Sequence, residues 1–280
     1  MKLKIKSTNS IKRICFLLTN STIENYISTI PPVPKVMKSC LSHLDAADMM
    51  QAANVVKEDK TFILFLSKIV NKPIFGFTKE IKDPHQIFGI LGLDSAKQII
   101  YGYYSLLIIP KKWEVFDFSN KKFQNLQSNL IVNWNKILDF LNIDDKDMRA
   151  CITLLPAALI VCEMLFRDIK GTILLLRESK QTSFDELLFK MSGNTLFDVT
   201  SKIAKKWEFN KNIQDFITLI SSNKLDKNSN MYRPIIFLRL LISYEMSKSY
   251  VIQSGLNDFF DFSLKFDEND ILDFYSLIAK

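Results

Sequence analysis

Histidine, glycine and proline are scarce in this sequence, and each shortage excludes a class of protein. Only two histidines, His43 and His85, occur in 280 residues, so a metal site with three or more imidazole ligands is excluded by counting. With 7 glycines and 8 prolines, glycine-rich phosphate loops, collagen-like repeats and long disordered segments are poor interpretations. The length and the 48% hydrophobic content instead predict a globular protein with one large domain or two packed lobes.

The cysteines show no spacing typical of a zinc site or a dithiol redox motif, because no C-x-x-C pair occurs. We expect reduced thiols that are mostly buried, and therefore a cytoplasmic protein. The four cysteines are Cys15, Cys40, Cys151 and Cys162.

Long apolar runs are also missing. The N-terminal run, residues 14–18, is shorter than the roughly 7 residues that a signal peptide needs. The longest run, residues 150–162, contains Pro156 and stops at Glu163, whereas a membrane-spanning helix needs about 18 apolar residues. We expect neither an export signal nor a membrane span.

Charge is unevenly distributed along the chain, with a formal net charge of +7. Residues 1–13 are basic and contain no acid, whereas residues 257–273 are strongly acidic. Elsewhere lysines alternate with acids, and no arginine-rich stripe with interleaved aromatic residues occurs. Nucleic-acid binding through the basic N-terminus is therefore disfavoured, although it stays open as an alternative.

The spacing of apolar residues predicts an all-α fold, because they recur every three or four positions along nearly the whole chain. Pro34 suits the first turn of a helix, and Asp83 before Pro84 is typical of an N-cap followed by a first-turn proline. Gly92 predicts a helix end, and Ser119 predicts the N-cap of a long helix.

Two segments of the second half are less regular. Pro156 should kink or break the helix predicted over residues 148–166, because proline inside a helix costs about 3 kcal/mol. Residues 169–176 could form a short strand, but one segment makes no sheet. Further helices are predicted over residues 211–222, 233–253 and 268–279.

Four motifs of the first half occur in a characteristic order. They are Ile-Pro-Pro-Val-Pro at residues 30–34, Glu-Asp at 58–59, Ile-Val-Asn-Lys-Pro-Ile-Phe-Gly at 69–76, and Ile-Phe-Gly-Ile-Leu-Gly-Leu at 87–93. In order and spacing they resemble the HDOD domain of bacterial signalling proteins. Lys60 stands where that family usually has proline, and Lys72-Pro73 replace small residues, so the chain resembles a divergent member.

The resemblance implies a domain organisation as well as a fold. It covers residues 25–222, with an N-terminal lobe at about 25–116 and an HD-like lobe at about 117–222. Residues 223–280 are predicted to be a C-terminal helical extension packed on the HD-like lobe.

The resemblance also implies that an ancestral metal site has been lost, because HDOD domains look like degenerate relatives of metal-dependent HD phosphohydrolases. The His-Asp positions of that ancestor match Pro156 and Ala157 here, and neither side chain can ligate a metal. The other vestigial positions are Gln127, Ser128, Ser221 and Ser222. The HD-like lobe contains no histidine, so we expect no catalytic residue, no metal and no cofactor.

Other catalytic chemistry finds no support. No Gly-x-Ser-x-Gly motif occurs, and His43 and His85 fit ordinary surface or cap positions better than catalytic ones. For Asn71, Phe75 and Gly76 we favour structural roles over binding: a helix-ending Asn, an anchoring aromatic and a turn glycine.

The expected function is therefore that of a non-enzymatic regulatory or adaptor protein in bacterial signal transduction, affecting motility, stress response or virulence, with proteins as partners. The candidate partner surface is Ile74, Phe75 and Phe77. The alternative is a sensor of a small, nucleotide-type molecule, with its ligand in a vestigial cavity between the lobes that is lined by Gln127, Ser128, Pro156 and Ala157. An open cavity would favour the sensor, and a cavity filled by apolar side chains would favour the adaptor.

Overall fold

A computed structural model describes residues 18–71, 76–222, 225–260 and 266–278. These residues are helical with no strand among them, so the predicted all-α class is confirmed. The helices are α1 (Asn20–Thr29), α2 (Lys35–Asp45), α3 (Met49–Val56), α4 (Lys60–Val70), α5 (Pro84–Leu106), α6 (Asn120–Phe140), α7 (Lys146–Cys151), α8 (Leu155–Arg167), α9 (Lys170–Lys180), α10 (Phe184–Ser192), α11 (Leu196–Lys206), α12 (Lys211–Ser221), α13 (Tyr232–Met246), α14 (Ser249–Ile252) and α15 (Glu268–Ile278), with a 3₁₀ turn at Leu256–Phe259.

The helices group into two compact units. The small unit, residues 31–107, contains α2 to α5; the large unit contains α1 and everything described from Ile108 onward. The predicted lobes were divided at residue 116, whereas residues 25–30 and 108–116 group with the large unit. Residues 25–29 group with the large unit because they belong to α1, which packs against α8 and α11.

The small unit is built from helices whose starts follow local rules. The side chains of Asp48, Asp59 and Asp83 accept hydrogen bonds from the first backbone N–H groups of α3, α4 and α5, which would otherwise lack an acceptor. Inside α5, Gly92 has φ +70° and ψ 173°, a conformation that side-chain-bearing residues rarely adopt. The predicted helix end at Gly92 is therefore confirmed, and α5 consists of two segments.

The large unit is organised around the buried helix α8. Helix α8 packs on α11, α11 packs on α12, and α6 packs on α13 and α15. Ser119 caps α6 as predicted, accepting a bond from the backbone N–H of Lys122. Within α6 the indole of Trp134 is fully buried and donates a 2.8 Å hydrogen bond to the carbonyl of Met148, which fastens α7 to α6.

Two predictions for the region around α8 have different outcomes. Helix α7 ends at Cys151 and α8 begins at Leu155, with Pro156 in its first turn, so the predicted break is confirmed. The alternative of a strand over residues 169–176 is wrong, because those residues belong mostly to α9. A short apolar run does not by itself distinguish a strand from a half-buried helix.

The segment Asp147–Arg167 is long and apolar enough to cross a membrane, and 18 consecutive residues of it have a mean hydropathy of 1.8. However, 89% of those 18 residues are buried inside the protein, as expected for a core helix, and the α7–α8 break interrupts the segment.

Candidate functional site

The α7–α8 break places Pro156 and Ala157 in the first turn of α8, in the interior of the large unit. Ala157 has no solvent-accessible surface, so it borders no space large enough for a water molecule. The break itself is held by Thr153, whose buried hydroxyl donates a 2.7 Å bond to the carbonyl of Ala150. The two residues that the resemblance matches to the His-Asp pair are therefore buried apolar residues in this chain.

The other vestigial positions do not join Pro156 and Ala157 around a common cavity. Gln127 is buried on α6, whereas its neighbour Ser128 is exposed. Ser221 is also exposed, and its hydroxyl donates to the carbonyl of Thr218 at 2.9 Å. Ser222 is half-buried at the end of α12. Exposed and completely buried residues cannot line one enclosed site.

A void next to the break is too small for a metabolite. It measures about 10 Å³, which is space for one water molecule at most. Thr200 is the only polar residue in its wall, which is formed by Cys151, Ile152, Leu155, Phe197, Thr200, Ile217, Ile220, Leu238 and Ile242. None of the residues expected to line the vestigial cavity, which are Gln127, Ser128, Pro156 and Ala157, lies in this wall.

The described cysteines are unsuited to nucleophilic chemistry. Cys40, Cys151 and Cys162 are free thiols and all are buried. Burial raises the pKa of the Cys40 thiol to about 12 and holds the pKa values of Cys151 and Cys162 well above their usual range. Because the thiolate is the reactive form, these groups are inert at neutral pH.

A buried carboxylate that the sequence did not single out as functional lies on α8. Glu163 is fully buried and accepts hydrogen bonds from three successive backbone N–H groups: Glu114 at 2.6 Å, Val115 at 3.1 Å to each oxygen, and Phe116 at 3.1 Å. Both carboxylate oxygens accept hydrogen bonds, so Glu163 fixes the backbone of residues 114–116, which we call the entry segment of the large unit. A lone Glu at the end of a long apolar run was the available signal.

Two other buried charges also have structural roles. The guanidinium of Arg239 donates to the carbonyls of Ile220 and Ser222, which closes the C-terminal end of α12. Burial lowers the pKa of Arg239 from its usual value. The carboxylate of Glu245 is fully buried and accepts from side chains of α6 and from a nearby lysine, namely Asn129, Asn133 and Lys248.

In the small unit the Asn71 side chain acts as a clamp. Its amide nitrogen donates to the carbonyl of Ile81 at 2.8 Å, and its oxygen accepts from the N–H of Ile81 at 2.8 Å. Ser67 donates to the same carbonyl at 2.6 Å. These contacts agree with the structural role that was favoured for Asn71. Gly76 has φ +68°, which suits a turn glycine.

The predicted partner surface is described only in part. Phe77 is 46% exposed, as a docking residue must be. Ile74 and Phe75 lie outside the described residues, as does the basic N-terminal segment proposed for nucleic-acid binding.

The two histidines lie on different helices of the small unit. His43 is half-buried on α2, and His85 is half-buried in the first turn of α5. His85 Nε2 lies 2.9 Å from the ammonium of Lys57. Within the described ranges, no group of three or more His, Cys, Asp or Glu side chains is arranged to hold a metal ion.

Comparison with known proteins identifies the fold. The sequence pattern of the HDOD domain matches residues 30–222. The structure is similar to that of an HDOD domain protein with unknown function from Geobacter sulfurreducens (14% identity, TM-score 0.60, covering 93% of this chain and 95% of that one). It is also similar to a protein from Marinobacter aquaeolei VT8 that is assigned to signal transduction (14% identity, TM-score 0.62, covering 97% of this chain but 61% of that one).

No curated protein sequence matches this chain. At 14% identity the structural likeness shows the fold alone, but the HDOD pattern extends over most of the sequence and over helices of both units. The chain belongs to the HDOD domain family.

Proposed function

We propose that this protein is a non-enzymatic regulatory adaptor in bacterial signal transduction, which acts by associating with other proteins. The observation that carries the proposal is the interior of the large unit, where Pro156 and the completely buried Ala157, the residues matched by resemblance to the His-Asp pair of HD phosphohydrolases, lie in the first turn of α8. Neither residue supplies a donor atom for a metal. The void next to the α7–α8 break has room for one water molecule at most, so it is too small for the ligand of the sensor alternative.

The signalling context rests on the family and on one relative. The structural neighbour from Geobacter sulfurreducens is described as an HDOD domain protein, and the neighbour from Marinobacter aquaeolei VT8 is assigned to signal transduction. We place the protein in the cytoplasm, since the three described cysteines are buried free thiols and not disulfides. Motility, stress response and virulence are the processes in which a deletion strain should first be examined.

The absence of catalysis is directly testable. Elemental analysis of the purified chain should find no stoichiometric iron, manganese or zinc, and cyclic dinucleotides and nucleoside phosphates should stay intact during incubation. One bound metal per chain together with turnover of a phosphoester would contradict the proposal.

Association through the small unit is testable with Phe77. A protein captured by the purified chain from the native cell is identified by mass spectrometry, produced separately and titrated against the variants. Phe77→Ala should weaken binding by about 1–3 kcal/mol and leave the melting temperature nearly unchanged, because the side chain is 46% exposed. Leu64→Ala, which removes an exposed apolar side chain from α4, is the matched control. If the wild type and Phe77→Ala bind the partner with equal affinity, Phe77 is not part of the partner surface.

A further inference from the structure

A groove of about 410 Å³ lies on the small unit between the start of α3 and the first half of α5. One wall belongs to the α2–α3 turn and the first residues of α3, and the other to α5. Met50 is 69% exposed at its edge. The lining residues are Ala47, Asp48, Met49, Met50, His85 and Gly89. We call this feature the α3–α5 groove.

Gly89 forms part of the α5 wall of the groove. It lies within the first segment of α5 and has no positive φ, so the backbone does not require glycine there. A Cβ atom added to Gly89 would meet no atom within 4 Å. Glycine inside a helix costs about 0.5–1 kcal/mol relative to alanine. The groove therefore has room for a larger side chain at this position.

A cation, Lys57, adjoins the groove through its contact with the lining residue His85. The ammonium of Lys57 contacts His85 Nε2 at 2.9 Å and Asn54 Oδ1 at 3.3 Å, and no carboxylate of the described residues forms an ion pair with it. The acid in the groove, Asp48, is engaged as the N-cap of α3 and accepts from Gln51 N at 3.0 Å.

These features specify one kind of occupant. Exposed methionines adapt to apolar side chains and are frequent at protein-binding surfaces. Apolar walls and an acidic side chain do not suit a nucleic-acid backbone. The groove is open to solvent, whereas pockets for small molecules bury about 70–90% of their ligand. Lys57 supplies a positive charge that a carboxylate of a partner can meet.

We propose that a partner protein docks in the α3–α5 groove by inserting a large apolar side chain between Met50 and Gly89 and placing a carboxylate beside Lys57. This proposal rests on the adaptor function and names the chemistry of its partner. It adds a second contact region on the small unit to the one around Phe77.

The probe for this proposal is a phage-displayed library of random dodecapeptides, selected against the purified full chain. Enriched peptides should share a large apolar residue with Asp or Glu within one helical turn of it. Gly89→Leu, which fills the groove, should weaken their binding at least about tenfold, and Lys57→Glu should weaken it by about fivefold or more. Gly171→Leu is the matched control, because Gly171 is a helical glycine of α9 whose added Cβ also meets no atom within 4 Å.

Three results would overturn the proposal. The first is that no peptide is enriched, and the second is that enriched peptides bind Gly89→Leu as tightly as the wild type. The third is that enriched peptides lack acidic residues and bind Lys57→Glu with unchanged affinity. Self-association of the wild type that Gly89→Leu abolishes would identify a second copy as the occupant and would overturn it as well. If Gly89→Leu fails to fold, Met50→Ser takes its place with the same expected loss.

Failure of the groove and failure of the adaptor function are distinguishable. If an identified full-length partner binds Gly89→Leu and the wild type equally well, the groove is not its docking site, but the adaptor function still stands. Metal-dependent phosphoester turnover would remove the adaptor function whatever the peptides do.

Discussion

Replacing Glu163 by glutamine tests whether this buried carboxylate holds the entry segment of the large unit. In the wild type its two oxygens accept from the N–H groups of Glu114, Val115 and Phe116 at 2.6–3.1 Å. Glutamine has nearly the same shape, but its amide nitrogen would face these N–H donors and could not accept from them. At least one backbone N–H would therefore lose its acceptor.

The size of the effect follows from those contacts. A hydrogen bond to a charged group contributes about 1.5–3 kcal/mol, and a buried donor left without an acceptor costs about 1–3 kcal/mol. We expect Glu163→Gln to lower the free energy of unfolding by about 2–4 kcal/mol and the melting temperature by about 5–10 °C. Glu163→Ala should lower the free energy of unfolding further, by about 3–5 kcal/mol, because all three backbone N–H groups would then lack an acceptor.

Tryptophan fluorescence during urea unfolding is a suitable assay. Trp113 directly precedes the entry segment, residues 114–116, and makes an edge-to-face contact with Phe118 at 5.4 Å between ring centroids. Hydrogen exchange should show faster exchange at the amides of residues 114–116 in the variant. Glu178→Gln, an exposed change on α9, is the control. The reasoning is refuted if Glu163→Gln unfolds within about 0.5 kcal/mol of the wild type and those amides stay protected.

Two further predictions concern the large unit. Gly255 has φ +79°, and a Cβ atom there would lie 3.0 Å from the Phe184 ring, so Gly255→Ala should destabilise by about 1–3 kcal/mol in thermal unfolding, and an unchanged midpoint would contradict this. Burial raises the pKa of Asp185 to about 6, above its unfolded value of about 4, so protonation favours the folded state. Stability should therefore fall by about 1–2 kcal/mol as the pH rises from about 4 to 6, and Asp185→Asn should flatten that slope; equal slopes in both proteins would exclude Asp185 as its source.

Helix starts and breaks were predictable because they depend on a few adjacent residues. Asp83 before Pro84, Ser119 and Gly92 each act within one turn of their own position, and the structure has each of them as expected. Pro156 broke the α7–α8 segment for the same reason, since its missing N–H is tolerated only in the first turn of a helix.

Contacts between distant residues were not predictable in this way. Glu163 meets partners 47 to 49 residues earlier in the chain, and the bond from Asn133 to Glu245 spans 112 residues. Periodicity identifies which helix face is buried but not what lies opposite. The same limit applies to the α3–α5 groove, because the space beside Gly89 exists only after α3 has packed on α5.

The lack of histidine in the HD-like lobe could be counted from the sequence, whereas the packing around Ala157 could not. Residue types show whether ligand atoms exist at a site. They do not show how the interior next to the α7–α8 break is filled, since that depends on side chains from α11, α12 and α13, which come much later in the chain.

The placement of the buried thiols gives each unit its own chemical reporter of unfolding. All three tryptophans, Trp113, Trp134 and Trp207, belong to the large unit, so fluorescence does not follow the small one. Cys40 lies in the small unit, and Cys151 and Cys162 lie in the large unit. Brief alkylation at increasing urea concentrations, read by mass spectrometry, would therefore time the opening of each unit and reveal whether the chain unfolds as one cooperative block or in two steps.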